Sequence, residues 1–239
     1  MAMVETCLTN NIEIRNLTVA YGRLIVLRNI NLKITSNEFV AIVGKSGGGK
    51  STLLNALAGF IPFSGDISRP EHIGLVFQQQ AVFPWLTVAE NIAFGVETGD
   101  ATKRQDIVRE HIRLAGLETK TNCYPAQLSG GQIQRLALAR TLANNPDVLL
   151  MDEPYGSLDA HTREEMQRWL LEIWSEHKKT VVFITHDIAE ALFLADRILL
   201  LDNGRFANEI VVPFNRPRSD DIKFSQEFNE LNHTIHGWL

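Results

Sequence analysis

The sequence has few cysteines and no long apolar run, and both absences narrow the class of protein. Its 239 residues include only two cysteines, Cys7 and Cys123. They form no Cys-x-x-Cys pair, so neither a disulfide framework nor a zinc site is predicted. No apolar stretch approaches the roughly 20 residues of a membrane-spanning helix, and residues 1–10 lack the basic start and apolar core of a secretory signal. We therefore expect a soluble, cytoplasmic chain with reduced thiols.

The sequence also lacks an excess of basic charge. Lys plus Arg number 23 and Asp plus Glu number 28, so the formal net charge is −5. A protein that mainly binds nucleic acid usually carries a basic field, and no nucleic-acid partner is expected here. Hydrophobic residues make up 45% and charged residues 21% of the chain. These fractions are typical of a globular protein and exclude a disordered chain or a coiled-coil rod.

The hydrophobic pattern predicts an α/β fold. Ile30, Leu32 and Ile34 alternate with polar residues, which is typical of an antiparallel strand with one buried face. The continuous apolar run at residues 39–43 predicts a central strand that is covered on both faces. After residue 146, strands and helices alternate, which indicates a parallel sheet with crossover helices. The predicted elements of this half are strands at 148–151, 180–184 and 198–201 and helices at 163–174 and 188–194.

A helical pattern separates the two β-containing parts. One predicted helix has its apolar face at i, i+1, i+4, i+5 and i+8. The residues of this face are Ile107, Val108, His111, Ile112 and Ala115. Another helix is predicted at 132–143. We expect a single domain over residues 1–239, with a helical subdomain at about 88–145 and a C-terminal tail at about 205–239.

A glycine-rich turn follows the predicted strand at 39–43 and matches the GxxxxGK[ST] pattern of a phosphate loop. The loop and the start of the helix predicted after it consist of Gly44, Lys45, Ser46, Gly47, Gly48, Gly49, Lys50, Ser51 and Thr52. Glycines let backbone N–H groups turn inward around phosphate oxygens, and the positive end of the following helix faces the same anion. Lys50 would neutralise charge on the β- and γ-phosphates, and the Ser51 hydroxyl would bind Mg²⁺. The loop therefore predicts nucleotide binding.

Two adjacent carboxylates, Asp152 and Glu153, follow the predicted strand at 148–151. The carboxyl ends of strands are where α/β folds place ligand groups. Asp152 suits the role of a Mg²⁺ partner, directly or through water. Glu153 could orient and deprotonate an attacking water molecule. Without a phosphate loop on the same chain, such a pair would be more typical of a surface turn.

The pentapeptide Leu128–Gln132 leads into the helix predicted at 132–143 and contains Ser129, Gly130 and Gly131. One interpretation is a plain helix start, with Ser129 as the N-cap residue. The other is a second anion-binding helix terminus. Because a single nucleotide needs only one such terminus, the second interpretation suggests binding across a dimer.

The phosphate loop, the pentapeptide and the carboxylate pair, in this order, resemble the nucleotide-binding subunit of an ABC transporter. Four smaller motifs agree across essentially the whole chain, although each residue alone is more typical of a packing, surface or capping position. Tyr21 falls where the family stacks an aromatic ring on adenine, and Gln78 matches the glutamine that senses Mg²⁺ and the membrane partner. Asp159 lies in the loop that contacts the opposite subunit, and His186 matches the histidine that contacts the γ-phosphate.

This resemblance implies a P-loop ABC-type nucleotide-binding domain with a RecA-like parallel sheet core, an N-terminal antiparallel β subdomain and a helical subdomain. Two copies, or this chain and a paralogous ATPase subunit, would pair head to tail around two ATP molecules. The implied catalytic residues are Glu153, His186 and Gln78. The implied Mg²⁺ ligands are Ser51, Gln78 and Asp152. The implied ATP contacts outside the phosphate loop are Tyr21, Ser129, Gly130, Gly131, Gln132 and Asp159.

Residues 81–91 and 159–167 are similar to the ATPases of nitrate, sulfonate and taurine importers. The resemblance implies a peripheral subunit at the cytoplasmic face of the inner membrane, bound to an integral membrane permease and indirectly served by an extracytoplasmic solute-binding protein. Importers of pyrimidines or thiamine precursors share much of this sequence, and a soluble ABC ATPase of iron–sulfur assembly shares the motifs, so both stay open as alternatives. Phe83 and Trp85 either face the permease or fill the core near Gln78.

Overall fold

A computed structural model describes residues 11–77 and 82–239 of the chain. Its strands are β1 (Ile12–Tyr21), β2 (Leu24–Ile34), β3 (Phe39–Val43), β4 (Ser64–Ser68), β5 (Ile73–Val76), β6 (Val148–Asp152), β7 (Thr180–Ile184), β8 (Arg197–Asp202) and β9 (Arg205–Val211). Its α-helices are α1 (Lys50–Ala58), α2 (Val88–Phe94), α3 (Ala101–Leu114), α4 (Gly130–Ala143), α5 (Ala160–His177), α6 (Ile188–Leu194) and α7 (Gln226–His236). Short 3₁₀ helices lie at Glu118–Lys120, Pro125–Gln127 and Asp220–Phe224.

A six-stranded sheet in the order β5-β6-β7-β3-β8-β9 forms the centre of the molecule. Its first five strands are parallel, and β9 pairs with β8 in the antiparallel direction. All five residues of β3 are buried, because apolar clusters cover both faces of the sheet. The carboxyl ends of β3, β6 and β7 therefore lie side by side at one edge, where the segments that follow these strands meet.

A second sheet of three antiparallel strands, in the order β2-β1-β4, packs beside the central one. Ile30, Leu32 and Ile34 are buried and Asn29, Asn31 and Lys33 are exposed, so the predicted alternation is confirmed. The buried side chains of this sheet share one apolar cluster with β3 and α1. That shared cluster fixes β1 and β2 against the start of α1.

The helices α2, α3 and α4 enclose an apolar cluster of their own. Ile112 and Ala115 are buried in it, and Ile107 and Val108 pack against it, so the predicted helix face points inward. The helix predicted at 132–143 begins two residues earlier, at Gly130, because Ser129 caps it. In the part of the chain that the structure describes, no helix is long and apolar enough to cross a membrane.

The C-terminal residues 205–239 carry more structure than the sequence indicates. They contain β9 and α7, which the hydrophobic pattern did not predict. Phe228 and Ile235 of α7 are buried in the apolar cluster that also holds α6. The spacing of Phe228, Leu231 and Ile235 at i, i+3 and i+7 is the signal that predicts such a helix.

Asn91 of α2 anchors the segment that carries Phe83 and Trp85. It is fully buried. Its Oδ1 accepts a hydrogen bond from the Phe83 N–H at 2.8 Å. Its Nδ2 donates to the carbonyls of Phe83, Leu86 and Thr87 at 2.9–3.1 Å. One amide side chain thus satisfies four backbone groups of the loop before α2.

We predict that Asn91→Ala destabilises the protein by about 1–3 kcal/mol, because the half-buried Phe83 N–H and Leu86 carbonyl lose the hydrogen-bond partner that Asn91 supplies. Urea unfolding followed by circular dichroism measures the change in the free energy of unfolding. Asn122→Ala is the matched control, because Asn122 is exposed. An equal loss in both variants would contradict the anchoring role of Asn91.

Candidate nucleotide site

The phosphate loop connects β3 to α1 in a conformation that needs glycine at its two ends. Gly44 has φ 157°, and a Cβ atom there would lie 2.2 Å from the carbonyl oxygen of Leu201. Gly49, the N-cap residue of α1, has φ 99°, and its Cβ would lie 2.9 Å from a methyl group of Leu27. Any other residue would strain or displace the loop. The first turn of α1 holds no acidic side chain, so its positive end is available to an anion.

The side chain of Lys50 lies inside this loop. Lys50 is 5% exposed, and its Nζ donates to the carbonyl oxygens of Gly44 at 2.8 Å and Lys45 at 3.0 Å. These bonds compensate for the burial of the ammonium group. They also hold the positive charge at the centre of the loop, where phosphate oxygens are the alternative acceptors.

Ser51 and Asp152 meet at the carboxyl edge of the sheet. A hydrogen bond joins their side chains. Burial raises the pKa of Asp152, while the Ser51 bond and the nearby Lys50 oppose that rise and the adjacent Glu153 adds to it. A hydroxyl and a carboxylate oxygen side by side fit the oxygen ligands that Mg²⁺ prefers. Among the described residues, no three His, Cys, Asp or Glu side chains form a metal site by themselves, so a cation here would need phosphate or water as further ligands.

Glu153 and His186 are brought together by the pairing of β6 with β7. His186 Nδ1 lies 3.0 Å from Glu153 Oε2, and the Glu153 N–H donates to the Ile184 carbonyl at 2.9 Å. Glu153 has φ 42°, a left-handed conformation that costs of order 1 kcal/mol for a residue with a side chain. The strain turns its carboxylate toward His186, whose side chain is 63% exposed. The Glu153 side chain is 21% exposed, so a base at this strand end can reach a water molecule near a bound phosphate.

The pentapeptide caps α4, as one of the two interpretations predicts. The Ser129 side chain accepts from the Gln132 N–H at 3.3 Å, and the Gln132 side chain accepts from the Ser129 N–H at 3.0 Å. Ser129 and Gly130 are exposed, whereas a Cβ at Gly131 would lie 2.7 Å from the Thr162 methyl group. The start of α4 therefore packs against α5 and the segment before α5. The phosphate loop has different neighbours, Val26, Leu27 and Leu201.

Among the smaller predicted positions, Tyr21 and Asp159 lie at the ends of other elements. Tyr21 ends β1 and is 52% exposed. Asp159 caps α5, where hydrogen bonds from the backbone and hydroxyl of Thr162, at 3.0 and 2.7 Å, lower the pKa of its carboxyl group. Gln78 lies outside the described residues.

A cavity of about 690 Å³ adjoins the phosphate loop at Gly47 and Gly48. The sequence did not single out its other walls, which are formed by Leu24, Ile25, Val26, Arg28, Asn203, Gly204 and Arg205. The signal that could have found them is the start of β2, where Leu24 and Ile25 are 65% and 42% exposed despite being apolar. An exposed apolar pair beside a phosphate loop is typical of a ligand-binding surface.

Comparison with known proteins identifies the family. The family model described as ABC transporter matches residues 27–156, which are 130 of the 239 residues. The bicarbonate transport ATP-binding protein CmpD of Synechocystis sp. is 44% identical over 219 residues, 84% of this chain and 77% of CmpD. The aliphatic sulfonates import ATP-binding protein SsuB 3 of Nocardia farcinica is 42% identical over 220 residues, 92% of this chain and 88% of SsuB 3. The predicted resemblance to importer ATPases is confirmed.

Solved structures agree with the family. A dimeric structure of MJ0796, a bacterial ABC transporter cassette, has a TM-score of 0.74 at 36% identity and covers 85% of this chain and 100% of that chain. A dimeric post-hydrolysis state of the same cassette, bound to ADP and Pi, has a TM-score of 0.72 at 35% identity, with the same coverage. The predicted ABC-type fold is confirmed. The chain therefore belongs to the ABC transporter family, as an ATP-binding cassette that hydrolyses ATP.

Proposed function

We propose that this chain is the ATP-hydrolysing subunit of a membrane importer for a small anion or organic solute. The observation that carries the proposal is the 3.0 Å contact between Glu153 and His186 at the edge of the sheet where the phosphate loop begins. The relatives named above transport bicarbonate and sulfonates, which favours a solute of the nitrate, sulfonate or taurine type. The subunit is proposed to sit at the cytoplasmic face of the membrane without spanning it.

In the proposed mechanism, Lys50 exchanges the carbonyls of Gly44 and Lys45 for oxygens of the β- and γ-phosphates. Ser51 and Asp152, together with Gln78, would hold Mg²⁺, which shields the phosphate charge when bound. Glu153 accepts a proton from the attacking water. His186, hydrogen-bonded to Glu153, keeps that carboxylate oriented and contacts the γ-phosphate. Tyr21, beside the cavity at Leu24 and Ile25, would stack on the adenine.

A second copy, or a paralogous ATPase subunit, completes the proposed site. Ser129 and Gly130 are exposed at the positive end of α4, and they lie apart from the phosphate loop of their own chain. A head-to-tail pair would bring this end to the γ-phosphate that Lys50 of the other chain holds. Asp159, exposed at the start of α5, would lie in the same contact. The related cassette MJ0796 forms dimers, which favours this arrangement.

A permease is proposed to dock on the helical part of the chain. Phe83, Trp85 and Phe94 form an aromatic patch, with ring centroids 5.5 Å apart for Phe83–Trp85 and 4.5 Å apart for Phe83–Phe94. Trp85 and Phe94 are 69% and 65% exposed, so Trp85 does not fill the core. A groove of about 900 Å³ lies between α2 and α3, and Ala93, the residue before Phe94, lines it. Exposed aromatic groups next to a groove suit a helical segment of a partner.

We predict that Lys50→Ala weakens ATP binding about 10- to 100-fold, because it removes a charge-assisted contact to phosphate. Isothermal titration calorimetry measures the dissociation constant. Lys33→Ala removes the same charge from an exposed position on β2 and is expected to bind ATP like the wild type. Retained tight binding by Lys50→Ala would count against the phosphate-loop assignment.

We predict that Glu153→Gln lowers the ATP turnover number at least about 100-fold, because it removes the general base. ATP binding is expected to persist, and a stable ATP-bound dimer should appear in light scattering, because the closed state is no longer released by hydrolysis. Glu176→Gln, at an exposed position on α5, is the control. Turnover comparable to the wild type would show that Glu153 is not the base.

We predict that a tagged chain, isolated from gently solubilised membranes of its own cells, brings down a multi-span permease. Trp85→Ala is expected to lose the permease while the isolated subunit still binds ATP, because the aromatic patch lies outside the nucleotide site. Phe224→Ala, which removes another exposed aromatic ring, should keep it. Recovery of soluble partners alone would contradict the importer proposal and favour an iron–sulfur assembly factor. Recovery of a permease together with a pyrimidine-binding protein would favour the pyrimidine or thiamine-precursor importer.

A further inference from the structure

A buried carboxyl group lies behind His186 and has no part in the proposed chemistry. Glu190, in the first turn of α6, is 5% exposed. Its burial raises the pKa of the carboxyl group to about 7, which shows how poorly this group is solvated. A buried ionisable group is weak evidence for stability, because desolvation offsets what its partners contribute. A contribution to stability therefore does not account for the buried position of Glu190 and its hydrogen-bond partners.

The first contact of Glu190 is with the residue before His186. Its carboxyl group lines the same small cavity as Thr185 and His186, and a hydrogen bond with the buried Thr185 side chain opposes the rise of its pKa. The Thr185 hydroxyl oxygen accepts in turn from the Asp187 N–H at 3.0 Å. Because this hydroxyl bridges Glu190 and the Asp187 backbone, the chain is fixed on both sides of His186.

The second contact fixes the orientation of Glu190 itself. Gln167 of α5 donates from Nε2 to Glu190 Oε1 at 3.2 Å. The Gln167 oxygen accepts from Lys223 Nζ at 3.3 Å. Because an ammonium group can only donate, the amide of Gln167 must present its NH₂ group to Glu190. Lys223 also pairs with Asp220 at 3.0 Å, so the C-terminal 3₁₀ helix supports the same chain of contacts.

A third set of contacts holds Asp187 from the other side. Asp187 Oδ1 accepts from the Glu190 N–H at 3.1 Å. Its Oδ2 lies 3.7 Å from Arg163 Nη1, and Arg163 Nη2 donates to the Leu158 carbonyl at 3.1 Å. The segment Thr185–Asp187 is thus attached to α5 and α6, while the side chain of His186 itself stays exposed.

We propose that Glu190 is a positioning residue for ATP hydrolysis: through Thr185 it holds His186 within hydrogen-bond distance of Glu153. This inference rests on the proposed roles of Glu153 and His186. Glu190 does not touch the nucleotide, so it acts only through the segment that it fixes. A displacement of about 1 Å at a reacting centre can lower a rate about 100-fold, which makes the effect of Glu190 measurable.

The test compares two substitutions of Glu190 under saturating ATP. Glu190→Ala removes the acceptor of Thr185, and we expect kcat to fall about 10- to 100-fold while KM for ATP and the ATP dissociation constant stay within about twofold of the wild type. Glu190→Gln keeps an oxygen that can accept from Thr185 and Gln167, and we expect it to restore kcat to within about threefold of the wild type. Substitution of a residue that only stabilised the fold would not lower kcat while leaving KM for ATP unchanged.

Glu38→Ala is the matched control, measured with the same assays and with melting temperatures for every variant. Glu38 is a half-buried carboxylate that pairs with Arg197 at 2.6 Å and precedes β3, at the opposite end of the sheet from the phosphate loop. It is expected to lower the melting temperature and leave kcat unchanged. The inference is overturned if Glu190→Ala keeps kcat within about twofold of the wild type, if Glu190→Gln fails as Glu190→Ala does, or if Glu38→Ala loses kcat equally.

Glu153→Gln in the same series distinguishes a failure of the proposed roles of Glu153 and His186 from a failure of the positioning role of Glu190. If Glu153→Gln still hydrolyses ATP, the proposed roles of Glu153 and His186 are wrong, and this inference is overturned with them. If Glu153→Gln abolishes hydrolysis and Glu190→Ala does not lower it, those roles stand and only the positioning role of Glu190 is overturned.

Discussion

The parallel pairing of β6 with β7 and of β7 with β3 positions every segment of the candidate nucleotide site that follows these strands. It places three carboxyl ends in one row. The phosphate loop follows β3, Asp152 ends β6 with Glu153 directly after it, and His186 follows β7 by two residues. Because parallel strands run in the same direction, their carboxyl ends lie at one edge of the sheet, and segments that are far apart in the chain meet there. Both apolar clusters on the faces of this sheet stabilise the site by stabilising that pairing.

The site itself contains features that do not favour folding. Lys50 is buried, Glu153 has a left-handed backbone and Glu190 is a buried acid. Each is tolerated because neighbouring groups compensate for it: carbonyls of the phosphate loop for Lys50, the Ile184 carbonyl for the Glu153 backbone, and Thr185 with Gln167 for Glu190. Buried, hydrogen-bonded polar side chains have a smaller range of orientations than exposed ones. Phosphate hydrolysis requires its catalytic groups to be held in such a restricted range.

Two exposed surfaces lie on the helical part of the chain. The start of α4 is exposed at Ser129 and Gly130, and the aromatic rings of Trp85 and Phe94 face outward on the helical part. The first surface presents the positive end of a helix to an anion, and the second offers apolar area to a protein. The two lie on the same helical lobe, since α2 and α4 share one apolar cluster. A movement of this lobe would therefore reach both surfaces together, which is the physical basis on which nucleotide binding could be coupled to a partner.

The central strands, their crossover helices and the phosphate loop could be predicted from the sequence, because alternation of apolar residues and a glycine pattern are encoded within a few neighbouring positions. Residues 39–43, 180–184 and 188–194 have the predicted bounds. The sequence did not reveal β9, an edge strand whose residues are mostly exposed and show no regular alternation. Glu153 and His186 are 33 positions apart in the chain, and the fold alone brings them to 3.0 Å from each other. The fold likewise brings Gln167 to Glu190, 23 positions away. Those distances are set by the packing of β6 on β7 and of α5 on α6, and no local pattern of residues contains them.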